Sequence, residues 1–144
     1  MKSLIYVLAI FLTAASLSTV DVEMVHAIKK GKPVVFTPEI RVMVIERSVD
    51  LLSSCAYKGT LKNMPDDEKA PHLHFTFAKP RKIEAPILKV AVEVKEMVVT
   101  FPLSSSGRIY VRTEDGVIYF TKFSKHELVK ELQALFNDAP TDND

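Results

Sequence analysis

The sequence predicts an α+β fold: an antiparallel β-meander of four or five strands, with one face covered by an N-terminal and a C-terminal amphipathic helix. Three observations carry the prediction. The stretch Arg108–Phe123 places two β-rich runs around Asp115-Gly116, a dipeptide suited to a two-residue hairpin turn. Two earlier stretches alternate apolar and polar residues, through Leu73, Phe75 and Phe77 and then through Leu88, Val90, Val92 and Val94. On either side of this β-rich region, apolar residues recur every three or four positions, as on one face of a helix. One apolar sheet face and two such helices close most simply as a two-layer sandwich.

In chain order, Met1-Lys2-Ser3 and the apolar run LIYVLAIFLTAASL read as an export signal. Small residues at Val25-His26-Ala27 predict cleavage after Ala27, so that residues 1–27 leave as a signal peptide. Thr13-Ala14-Ala15 is the alternative site, and a retained anchor is a third reading. Leu4–Val20 is short for the ~20 residues a span needs. The expected location is therefore exported, periplasmic or extracellular. Cys55 is the one cysteine, so no internal disulfide forms and the core must hold the fold alone. No Asn-x-Ser/Thr acceptor occurs, which favours a bacterial envelope over a glycosylating route.

Residues 28–137 read as a single domain, since a chain of 144 residues with 47% hydrophobic content suits one core. Val34–Phe36 is a short edge strand. Thr37-Pro38-Glu39 opens a helix, with threonine as cap and proline in the first turn. Val42, Ile45, Val49, Leu52 and Ala56 form its stripe, and Lys58-Gly59 is read as its end. Thr60–Pro71 is a loop whose run Asp66-Asp67-Glu68-Lys69 reads as a solvated face. It lacks the ligand spacing and glycine of a calcium loop. His72–Ala78 is a strand that Lys79–Lys82 interrupts. After Lys95-Glu96 the apolar phase slips by one, as at a bulge. In the hairpin, Arg112 is expected opposite Tyr119 and Tyr110 opposite Thr121. Ser124 and Glu127 are spaced as a capping box for a helix with Leu128, Leu132, Leu135 and Phe136 on its stripe. The tail, residues 138–144, is expected to be disordered.

Nineteen basic residues stand against 18 acidic ones, and no basic run interleaves with aromatics, so nucleic acid is not an expected partner. No phosphate-binding glycine motif is present. His72 and His74, two apart on one strand face, supply two imidazoles for copper or zinc. Their plainer reading is two exposed histidines on a sheet. Cys55 beside apolar residues reads as a packed thiol rather than a nucleophile, and no catalytic constellation is recognisable. The other sheet face displays Tyr110, Arg112, Tyr119 and Thr121 from the hairpin and His72, His74 and Thr76 from the earlier strand. Tyrosine, arginine and histidine make large, rigid contacts with partners. The sequence thus points to a small exported, non-catalytic binding or interaction module, using its exposed sheet face or an edge strand, without a cofactor. The alternative is a periplasmic copper- or zinc-binding protein acting through His72 and His74. The expected partner is another exported or envelope protein, or a small ligand, with membrane contact only if the signal segment is retained.

Overall fold

The structure is a computed structural model that describes residues 22–142; most of the expected export signal therefore lies outside the described residues. Among the described residues, seven strands and two helices follow in chain order: β1 (Val22–Lys29), β2 (Lys32–Pro33), α1 (Pro38–Ser53), β3 (Cys55–Leu61), β4 (His72–Ala85), β5 (Val90–Thr100), β6 (Ile109–Thr113), β7 (Gly116–Phe123) and α2 (His126–Asp138). They build one open antiparallel sheet in the order β2-β1-β4-β5-β6-β7-β3. The consecutive strands β4 to β7 are the expected meander. The expected four or five strands become seven because β1 and β2 add to one side and β3 to the other.

Each addition corrects a local reading. Val22–Ala27, read as the end of the export signal, is strand: Glu23 pairs with Thr76 and Ala27 with Leu73, and Val22 and Ala27 are buried. Six of the eight residues of β1 precede Ile28. The expected edge strand at Val34–Phe36 is displaced to Lys32–Pro33, with Val34 making an isolated bridge to Thr141.

Thr37 caps α1 as expected, its Oγ1 accepting from the Ile40 amide at 3.3 Å. The helix stops at Ser53 instead of running to Ala56. The Ser53 and Ser54 hydroxyls donate to the Asp50 and Leu51 carbonyls, so they compete with the backbone for the acceptors of the last turn. Cys55 to Gly59, read as helix end and cap, are instead the edge strand β3. Its partner is β7, with Tyr57 opposite Thr121 and Gly59 opposite Tyr119.

Ser124 is not a helix cap. Lys125 occupies that position without a side-chain bond, while the Ser124 amide and hydroxyl both donate to the Ser54 carbonyl, tying the end of β7 to the α1–β3 junction. The tail is ordered as far as it is described: Ala139 and Thr141 are buried, and the Val35 amide donates to the Pro140 carbonyl at 2.8 Å. Lys29 Nζ reaches the Asn137 and Ala139 carbonyls, placing a cation at the negative end of α2.

The core joins alternate sheet residues to both helices. Leu73, Phe75, Met97, Val99, Ile109, Val111 and Phe120 cluster with Val44, Ile45, Leu51 and Leu52 of α1 and with Leu132 and Phe136 of α2. Phe136 stacks on Phe101 with ring centres 3.9 Å apart. The phase slip near Glu96 corresponds to a register irregularity between Thr76 and Arg81, where β4 carries the extra residues through Lys79–Pro80 and continues.

Candidate binding face

The residues that alternate with the core positions form a second face, and two clusters lie on it. At its β6–β7–β3 end stand three tyrosines. Tyr110 pairs directly with Tyr119, and their ring centres are 6.3 Å apart. Tyr57 on β3 continues the row, 6.2 Å from Tyr119. The Arg108 guanidinium lies 4.6 Å from the centre of the Tyr119 ring, and Lys122 Nζ lies 5.6 Å from that of Tyr57. Such contacts contribute about 0.5–1 kcal/mol at exposed sites. The Tyr119 ring covers Gly59: a β-carbon there would come within 2.3 Å of Cε1. The neighbouring Tyr57 hydroxyl, followed by partial burial, raises the Tyr119 phenol above its ordinary value.

This arrangement rests on a hairpin register two residues away from the expected one. Thr113 closes the turn against Gly116, and the two loop residues are Glu114 and Asp115. The Thr113 hydroxyl accepts from the Asp115 amide and donates to the Gly116 carbonyl, which holds the turn at that position. A shift of two leaves every side chain on its expected face but exchanges its partners. Tyr110 therefore meets Tyr119 rather than Thr121. Arg112 meets Val117 across the ladder rather than Tyr119, and its Nε donates to Glu96 Oε1 on β5 at 2.7 Å.

At the β1–β4 end lie three histidines. His74 sits directly opposite His26, and His72 follows on the same face of β4. The His26 ring is edge-on to both, with centres 4.8 Å from His72 and 5.1 Å from His74. His72 Nδ1 lies 2.6 Å from the Ala70 carbonyl, which only accepts, so that nitrogen carries the proton. Its Nε2 is 2.7 Å from His26 Nε2, and a single proton between them makes this bond. His74 Nε2 donates to Glu96 Oε2 at 2.5 Å. Burial pushes the Glu96 carboxyl up, but the bonds from Arg112 and His74 outweigh it, and the group lies below its ordinary value. Burial, then the neighbouring His72 and His74, hold His26 below its ordinary value against the opposing charge of Glu68. The loop between β3 and β4 faces this cluster. Met64, Asp66, Glu68 and Ala70 line one wall of a cleft of about 270 Å³, and His26, His72, His74 and Glu96 line the other. The charged run read as a solvated face is thus also the wall of a histidine cleft.

Of the seven residues singled out in the sequence, Tyr110, Tyr119 and Thr121 belong to the tyrosine end, and His72 and His74 to the histidine end. Arg112 bridges toward the histidines through Glu96. Thr76 lies opposite Glu96 on the ladder and makes no side-chain bond described here. His72 is buried at 6% exposure, not open. His26, Tyr57, Gly59, Glu96 and Arg108 were missed. His26 was hidden in the cleavage motif and Tyr57 in the assumed helix end. Glu96 was read only as the point after which the apolar phase slips, although its side chain meets Arg112 and His74.

Among the described residues no group of three His, Cys, Asp or Glu side chains converges on a single ion as the rotamers stand, and no helix is long and apolar enough to cross a membrane. Cys55 is fully buried, and burial pushes its thiol up to about 11. No protein-family model, curated protein or solved structure matches this chain. What defines it is an open antiparallel sheet with two helices and a two-part polar face.

Proposed function

We propose that the protein is an exported, non-catalytic binding module that takes its partner on the polar face of the sheet, both helices serving to cover the other. The row Tyr57–Tyr119–Tyr110 carries this reading. Its three aromatic rings are neighbours across three strands, flanked by the cations Arg108 and Lys122. Tyrosine offers wide contact area at low entropy cost, and the flanking cations favour a partner surface bearing carboxylates. The outer edge of β3, where Tyr57 is 46% exposed, offers the same partner an unpaired strand. Another exported or envelope protein meets this description. Cleavage after Ala15 is the version of export we favour, because a cut after Ala27 would remove most of β1 from the sheet.

Immobilised protein exposed to envelope extract tests the reading, with Tyr110→Ala/Tyr119→Ala and Gly59→Val as comparison variants. The valine forces the Tyr119 ring off its glycine without deleting any aromatic group. The expected outcome is a protein retained by the parent and lost by both variants, each still folded by circular dichroism. Identical retained sets would sink the proposal. N-terminal sequencing of the fractionated product is expected to begin at Ser16. A full-length chain confined to the cytoplasm refutes export.

A further inference from the structure

We propose that His26, His72 and His74 form a binding site for one cupric ion at the other end of this face, independent of the tyrosine row. The hydrogen-bonded proton between His26 Nε2 and His72 Nε2 occupies the place where the ion binds. His72 already has the arrangement of a ligating imidazole. Its Nδ1–H is tied to the Ala70 carbonyl, and its Nε2 lone pair is directed into the pair. His26 completes the pair by moving its proton from Nε2 to Nδ1, with no net proton released. His74 has the second outer arrangement, an imidazole held by a carboxylate, and Glu96 is itself fixed by Arg112. With Nε2 engaged, its Nδ1 is the donor left for an ion.

The spacing favours copper over a tetrahedral ion. Two cis nitrogens on a tetragonal ion, at metal–nitrogen distances near 2.0 Å, sit about 2.8 Å apart. On tetrahedral zinc, with Zn–N of about 2.0–2.1 Å, they sit about 3.3 Å apart. The observed 2.7 Å needs almost no opening for the first and a larger one for the second. Separations of 4.8 and 5.1 Å between ring centres leave room for an ion beside all three rings. As the side chains stand, the pair is closed on its proton and His74 is turned to Glu96, which is why the three do not yet converge. Asp66 and Glu68 line the same cleft as the three histidines. Asp67 is engaged elsewhere, since its Oδ1 accepts from the Lys69 and Ala70 amides and holds the loop that presents Ala70 to His72.

The test is a Cu(II) titration of the whole protein, prepared without a polyhistidine tag and stripped with chelator, followed by equilibrium dialysis and electron paramagnetic resonance. Saturation at one copper per chain, with nitrogen hyperfine structure in the spectrum, is expected. Glu96→Gln should weaken binding about 10–100-fold, the usual effect of removing an outer-sphere partner, and His26→Asn should weaken it by more. No saturable binding, an all-oxygen spectrum, or a folded His26→Asn protein with unchanged affinity would overturn the site. Tighter binding of zinc than of copper would overturn the choice of metal. If His26→Asn fails to fold, the nitrogen hyperfine pattern of the parent protein still decides.

Discussion

Cys55 offers the most direct check on the packing at the junction of α1 and β3. It is fully buried where the chain leaves the helix, opposite Phe123 on β7, and its thiol is pushed up to about 11 from 9.0 by burial. That rise lowers the thiolate present at neutral pH about 100-fold. Steric exclusion adds to this, so alkylation of the folded protein at pH 7.5 should be at least ~1,000-fold slower than in denaturant. The linkage sign follows from the same shift. The folded state favours the neutral thiol, so the stabilisation is complete below the unfolded value near 9 and is lost as pH rises toward 11. Its upper bound is on the order of 2–3 kcal/mol. Urea midpoints from pH 8 to 11 are expected to fall more steeply for the parent than for Cys55→Ala, which has no thiol to ionise. Labelling within tenfold of the denatured rate, or identical pH profiles for parent and variant, would refute the packing argument.

Two further outcomes test other parts of the structure. Phe136→Ala removes a buried ring stacked on Phe101 and should cost about 3–5 kcal/mol in urea unfolding; a loss under about 1.5 kcal/mol would mean that α2 is not docked as described. Glu96→Gln keeps the side-chain shape but removes the charge that accepts from Arg112 and His74. In chelator at pH 7 it should cost about 1–2 kcal/mol, with most of it lost when Arg112 is already alanine, and a double-mutant cycle showing no coupling would dissolve the link between the two ends of the face.

How much of the candidate site was legible depended on how far apart its members lie in the chain. The faces of Tyr110, Arg112, Tyr119, His72 and His74 follow from alternation alone, and those of the three hairpin residues survived a register that differed by two, because a shift of two never turns a residue over. Their partners did not survive it. The meeting of His26 with His72 and His74, and of Glu96 with Arg112, depends on which strands lie side by side, and no nearby residue records that.

By itself the sequence determined the α+β class, the Thr37-Pro38 start of α1, the apolar phase of β4 and β5, and the hairpin's two faces. Each is a matter of hydrogen bonds and side-chain directions within a few residues of one another. Only the tertiary structure decided that Val22–Ala27 and Cys55–Leu61 are strands. A short polar-apolar segment becomes a strand when a distant strand offers it a ladder and a buried neighbour, as β4 does for β1 and β7 does for β3. Those two pairings bring His26 to the histidine cleft and Tyr57 to the tyrosine row, completing the candidate site.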